Sequence, residues 1–245
     1  MRLTIKFSSS EPVTLPLSYQ QQVQGFIYNS ISPRLAGLLH DYGFRHEKRS
    51  FKLFTFSRLR GAFTIQKQDK AIIFTGPLEL HFSSPVEQFV KEFGNELLLK
   101  DTHNIGDNKL TVQEINVVPN PVSSRTAQIR MLSPITIYST LSTADGRKKT
   151  YYYTPFENEF SELIRSNLIK KYTALNRKEP SKTTFQITPA RVSKRNQVIT
   201  NYKGFVIKGW EGIYEISGEP ELLTLGLEAG FGGKNSQGFG CAEVV

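Results

Sequence analysis

Of the four histidines in this chain, His40 is the one best placed to move a proton. It ends the short apolar run Leu38-Leu39-His40 shortly before Gly43, where a side chain can emerge from the edge of a core. Imidazole titrates close to working pH, so His40 is a candidate general acid or base. A histidine that caps a helix end through its charge–dipole interaction is the plainer alternative. Tyr28 lies twelve residues before it and Lys52 twelve residues after. By residue type alone, these are a ring packed at a helix end and a cation at a strand start. His46 competes for the acid–base role. It sits in the dense basic run Arg45-His46-Glu47-Lys48-Arg49, and membership of a solvated charged loop is the favoured reading for it. His81 falls on a strand and His103 in a polar loop.

A second concentration of chemistry lies near the C-terminus. Gly230, Gly232, Gly233, Gly238 and Gly240 surround Lys234, Asn235, Ser236 and Gln237. Glycine permits positive φ and close backbone approach, so N–H groups there can cradle phosphates. The run does not spell a Walker loop, and it follows a helix and precedes a strand, the reverse of a dinucleotide fingerprint. A flexible turn explains the glycines equally well.

Thirty-one Lys and Arg against 22 Asp and Glu leave a net charge of +9, with +6 of it in residues 123–245. A basic balance of this size favours a polyanionic partner, nucleic acid first. Basic clusters recur at Arg45/Lys48/Arg49, Arg147/Lys148/Lys149, Lys170/Lys171, Arg177/Lys178/Lys182 and Arg191/Lys194/Arg195, and the first two border Phe51 and Tyr151–Tyr153. Cations beside stacking rings suit a single-stranded groove. The Lys170/Lys171 pair reads instead as the solvated face of a helix. No Cys/His cluster has zinc spacing and no EF-hand loop is present, so neither metal nor cofactor is expected. Cys241 is the single cysteine, which fits a reducing compartment. With no signal-like or membrane-spanning apolar run, the expectation is a soluble cytoplasmic protein with no membrane partner.

These residues must be held by elements the sequence also suggests. Arg2–Phe7 alternates as a strand, and helices are predicted over 18–31 and 34–41. Strands are predicted over 53–59, 62–66, 71–75 and 78–82, a helix from Ser84-Pro85, and a strand over 110–118. Val117–Val122, with two prolines, reads as a linker. The second half repeats the order, with strands at 126–132, 135–140, 184–188, 197–200, 205–216 and 239–245 and helices at 157–172 and 220–228. The reading is α+β, with two tandem ferredoxin-like βαββαβ domains at 1–120 and 121–245.

The glycine pattern filled by Gly230, Gly232, Gly238 and Gly240 resembles the C-terminal loop of the RAMP superfamily of CRISPR-associated proteins. Gln24-Gly-Phe-Ile-Tyr-Asn29, Leu35-Ala-Gly-Leu-Leu-His-Asp41 and Lys52-Leu-Phe-Thr-Phe-Ser57 are similar to signatures of its repeat-processing endoribonuclease, the sixth-numbered Cas family. Ser133-Pro-Ile135 and Glu157–Phe160 look like that family's second domain. The resemblance implies metal-independent cleavage of precursor CRISPR RNA within repeats, leaving 2′,3′-cyclic phosphate and 5′-hydroxyl ends. It makes His40 the acid–base group, Tyr28 the residue that positions the 2′-hydroxyl, and Lys52 the phosphate-stabilising cation. RNA would lie on the glycine loop (Gly230, Gly232, Gly233, Lys234, Asn235, Ser236, Gly238, Gly240), on Arg191, Lys194 and Arg195, and on Arg45, Lys48 and Arg49. Repeat RNA is the implied partner, with other Cas proteins and a homodimer left open. A catalytically silent RAMP scaffold that binds crRNA is the alternative; the trio of Tyr28, His40 and Lys52 speaks against it. A general RNA-recognition-motif protein fits less well, for want of its paired-aromatic motif.

Overall fold

The structure, a computed structural model, describes residues 1–118, 122–142 and 146–245. Alternation fixes the first strand, β1 (Arg2–Ser8), which buries Leu3, Ile5 and Phe7 and exposes Lys6. The N-terminal half continues through α1 (Gln20–Asn29), α2 (Pro33–Gly37), β2 (Thr55–Phe56), β3 (Leu78–Ser83), α3 (Glu87–Leu99), β4 (His103–Ile105) and β5 (Asn108–Val118). The sheet order is β2-β3-β1-β5-β4, antiparallel throughout. α1 buries Val23, Phe26 and Ile27, and α3 buries Phe89, Val90, Phe93 and Leu97, in one core with the strands. Phe93 links the layers, with ring centroids 5.8 Å from Phe26 and 4.8 Å from Phe82. Fully buried rings of this kind contribute roughly 1.5–3 kcal/mol each.

The second half places β6 (Thr126–Met131), α4 (Asn158–Asn176), β7 (Phe185–Arg191), β8 (Ile213–Gly218), α5 (Pro220–Ala229) and β9 (Ala242–Val244) in a sheet ordered β7-β8-β6-β9. Its core is separate, built on Ile129, Ile164, Leu168, Tyr214, Ile216 and Leu223. The fold is therefore mixed α+β with two domains. They are joined by Leu53 packed on Leu225 and Ala229, and by Arg2, which donates to the Ala242 carbonyl. No helix among the described residues is long and apolar enough to cross a membrane.

Several predicted elements come out differently, each for a local reason. The strand predicted over 53–59 shrinks to Thr55–Phe56. Leu53 adopts φ 51°, and Arg58 N–H leaves the sheet to bond Leu132 O of the other domain at 3.0 Å. The strand predicted over 205–216 divides into Phe205–Trp210 and Ile213–Gly218, with Gly212 turning between them at φ 114°. Of 135–140, Ile135 and Thr136 make only isolated bridges, and pairing starts at Tyr138–Ser142 with Lys148–Tyr152, a strand hidden by its basic start. Phe239 and Gly240 belong to the glycine loop rather than to the last strand. Val117 and Val118, where the predicted strand and the predicted linker overlap, belong to the strand and pair with Leu3 and Arg2, and Val122 lies in the second core. Residues 119–121 fall outside the described residues.

Candidate active site

The turn that carries His40 is built by capping and phase. The Ser32 hydroxyl accepts from Leu35 N–H at 3.3 Å, and Pro33 opens α2. Leu35 and Leu39, four apart, point inward. After Gly37 the helix widens into one π turn, Leu38–Tyr42, closed by Gly43 N–H on Leu38 O at 2.8 Å. Gly43 lies at φ 59°, and a Cβ there would meet Ser50 Oγ at 2.5 Å, so only glycine fits. With Leu39 anchored, His40 is turned outward, its side chain 75% exposed.

Tyr28, near the end of α1, sets its ring edge-on to His40, centroids 6.1 Å apart, and to buried Phe54 at 5.8 Å. Burial, aided by the neighbouring Tyr202, pushes the Tyr28 hydroxyl up to about 12, so it stays protonated and able to donate at neutral pH. His40 Nδ1 lies 2.8 Å from Asp41 Oδ1. A carboxylate there accepts from Nδ1–H and leaves the Nε2 lone pair for proton transfer. Lys52 Nζ donates to His40 O at 2.6 Å. Burial lowers its pKa, with Asp41 opposing and Arg45 reinforcing the shift. Residues 28, 40 and 52, far apart in sequence, thus form one patch.

Lys52 also lines a cleft of about 510 Å³ between the two domains, together with Arg49, Tyr138, Lys171, Lys234 and Ser236. The glycine loop forms its far wall. Lys234 is itself left-handed (φ 58°), and its ammonium stands 5.1 Å from the Tyr138 ring centroid. The loop docks on the first domain through Thr55 Oγ1, which donates to Phe239 O at 3.0 Å. Gln24 of α1 donates to Ser236 O at 2.5 Å and accepts from the Tyr202 hydroxyl.

The halves of the chain match, in turn, the family models described as CRISPR-associated protein Cas6, N-terminal, over residues 14–116, and CRISPR associated protein Cas6, C-terminal, over residues 118–244. The chain belongs to the Cas6 family. The CRISPR-associated endoribonuclease Cas6 1 of Methanocaldococcus jannaschii is 30% identical over 252 residues, covering 100% of this chain and 93% of that protein. Among solved structures, a CRISPR associated protein Cas6 superposes with TM-score 0.79 at 26% identity, covering 100% of this chain and 99% of the other. A Cas6 product complex shares the fold at TM-score 0.68 and 18% identity, with coverages of 100% and 99%.

Within this Cas6 chain the glycines are spent largely on close packing. A Cβ at Gly232 would lie 2.4 Å from Thr136 O, and at Gly240 2.0 Å from Phe231 O, while at Gly230 and Gly238 it would lie 2.5 Å from Asn235 and 2.7 Å from Phe56. The N–H groups of Phe231, Gly233, Gln237, Gly238 and Gly240 bond the chain's own carbonyls, which corrects the expectation of a backbone cradle at those positions. Asn235, which the resemblance places against RNA, is 8% exposed and turns its amide inward to donate to Phe231 O and Phe239 O. Ser236 and Lys234 remain partly open.

The residue the sequence reading missed is Lys171. It is 2% exposed and donates to Gly230 O, Gly232 O and Asn235 Oδ1 at 2.6, 3.1 and 2.7 Å. Its signal was helical phase: Phe160, Ile164, Leu168 and Lys171 share one buried stripe, so Lys171 is no part of a solvated face.

Arg45, His46, Lys48 and Arg49 lie on a hairpin, Phe44–His46 paired with Arg49–Phe51, beside the site. His46 pairs across from Arg49, while Arg49 reaches the cleft. Arg191, at the end of β7, and Lys194 and Arg195, on the short turn that follows, are exposed and do not line it. His81 is buried between Thr4 and Glu79, and His103 bonds Leu97 O within the core. Among the described residues, no group of three or more His, Cys, Asp or Glu side chains could hold a metal ion.

Proposed function

We propose that this chain is a metal-independent endoribonuclease that cuts precursor CRISPR RNA within its repeats to give mature crRNA. The observation that carries the reading is the joining of Tyr28, His40 and Lys52: ring to ring, and amine to main chain. In this mechanism the RNA supplies its own nucleophile, the 2′-hydroxyl beside the scissile phosphate. That oxygen bonds to phosphorus, the 5′-oxygen leaves, and the products carry a 2′,3′-cyclic phosphate and a 5′-hydroxyl. His40 moves the proton through Nε2, the protonated Tyr28 hydroxyl orients the 2′-oxygen, and the Lys52 ammonium offsets charge growing on the phosphate.

The repeat strand follows the cations of the cleft, with Arg49 and Lys234 on phosphates. Arg45 and Lys48 on the neighbouring hairpin extend this path, and Arg191, Lys194 and Arg195 take a more distant part of the RNA. Both sheets place their four βαββαβ strands in the order fourth-first-third-second. We read them as ferredoxin-like and take residues 1–120 and 121–245 as the two units.

The test is a repeat RNA with a single 2′-deoxy substitution just 5′ of the cut, assayed in excess EDTA. The unmodified RNA is expected to be cleaved in chelator, and the modified RNA bound but uncut. Cleavage of the deoxy substrate, or activity restored only by added magnesium, contradicts the mechanism.

A further inference from the structure

Lys171 is a buried amine with no acidic partner among the described residues. Its three hydrogen-bond acceptors, Gly230 O, Gly232 O and Asn235 Oδ1, are all neutral. Burial holds its pKa down to about 7, and no neighbouring charge contributes to that shift. The elements packed on α4 explain why. The 44–51 hairpin brings Arg45, His46, Lys48 and Arg49, with one carboxylate, Glu47, exposed at its turn; β7 ends in Arg191, and across the cleft stand Lys52, Lys234 and Tyr138. α5 brings the carboxylates Glu221 and Glu228, but these already serve the Tyr172 hydroxyl and the N-terminal amine. A buried cation usually needs a counter-charge, and here the described residues supply none while the adjoining cleft is lined by Arg49, Lys52 and Lys234.

We infer that Lys171 is a positioning residue that pins the glycine loop, and that its missing counter-charge is a phosphate of the RNA in the cleft, so that binding takes up a proton at this amine. The inference rests on the reading of that cleft as the RNA site. Lys171 itself stays buried at the back of the cleft, where the loop carbonyls take its hydrogen bonds. It acts through the carbonyls it holds and through the field it sets up in a low-dielectric setting, where a nearby anion favours the ammonium over the amine. The sign follows from linkage. Below pH 7 the amine is charged with or without RNA, and binding takes up no proton there. Above pH 7 the free protein has shed that proton, which leaves two N–H groups for three acceptors, and the complex regains it, so affinity falls as pH rises. The Lys52 and Lys234 pKa values are also lowered by burial, so a variant must assign the proton.

The experiment is calorimetric binding of single-stranded repeat RNA at pH 6 and pH 8, in buffers of differing ionisation enthalpy, to the full chain, Lys171→Met and Lys234→Ala. Amide hydrogen exchange of residues 230–240 is followed without RNA. Wild type is expected to take up a fraction of a proton at pH 8 and none at pH 6. Lys171→Met should lose the uptake, bind on the order of tenfold more weakly, and exchange faster in the loop. Wild-type binding at pH 8 with no uptake overturns the inference, and needs no variant to fold. Unchanged loop exchange in Lys171→Met overturns the pin. Weakened binding in Lys234→Ala with unaltered affinity and uptake in Lys171→Met leaves the RNA reading standing and this inference overturned. Unaltered affinity in Lys234→Ala removes the RNA site from the cleft and the inference with it.

Discussion

Lys52 donates to the main-chain carbonyl of His40 at 2.6 Å. One amine therefore both ties the π turn to the segment entering β2 and keeps its remaining N–H groups free of that tie at the residue that carries the imidazole. Charge and positioning are combined in a single side chain. Lys52→Met should lower the single-turnover cleavage rate by about 10²–10³-fold, the scale of losing one aligned electrostatic donor. Lys52→Arg should recover part of that loss by keeping the charge. Equal rates for the two variants would show that charge is irrelevant and that only the tether matters.

Tyr28→Phe removes the hydroxyl and keeps the ring contacts to His40 and Phe54. Stability should change little, while the cleavage rate falls by about tenfold or more through lost orientation of the attacking oxygen. Thermal unfolding and single-turnover assays on the same preparation check both halves of the statement.

Gly232→Val tests whether the glycine loop is a packed joint. The backbone sits at φ 73°, and a Cβ would be 2.4 Å from Thr136 O. Left-handed backbone costs a non-glycine residue about 1–2 kcal/mol before the clash is added. At roughly 2–4 °C per kcal/mol for a chain of this size, the backbone cost alone should lower Tm by about 2–8 °C, and the clash should lower it further. An unchanged Tm would mean the loop has room that its packing denies.

The buried Lys171 makes stability depend on pH. Its folded pKa of about 7 lies below its ordinary value of 10.5, so between these limits the unfolded chain binds a proton that the folded chain lacks. Folded stability is therefore favoured as pH climbs from 7 towards 10.5 and flat below 7. Compared with Lys171→Met, wild type should gain in Tm between pH 7 and 9. A constant difference across that range would assign Lys171 an ordinary pKa.

What was legible in the sequence was the part written in local patterns. Alternation gave β1, helical phase gave α1 and α3, and the resemblance of residues 24–29, 35–41 and 52–57 pointed to the family. What was not legible was where backbone groups go once two domains meet. Arg58 bonds across to Leu132, which shortens a strand that its composition would otherwise support. Asn235 looks like a polar loop residue until Lys171, 64 positions away, buries its amide. The glycines could be read as freedom or as close packing, and only the neighbours Thr136, Phe231 and Phe56 decide between them. The contact of Tyr28 with His40 likewise needs the π turn, whose extra residue no periodicity announces.

The central claim is that His40 handles the proton, and the most direct measurement is the single-turnover cleavage rate of His40→Ala at saturating enzyme on the labelled repeat, beside His46→Ala. The account predicts a loss of about 10²–10⁴-fold for His40→Ala with repeat affinity nearly intact, because a general acid–base group acts in the transition state. His46, on the hairpin opposite Arg49, should affect binding slightly and the rate hardly at all. A rate lost in His46→Ala and kept in His40→Ala would contradict the account.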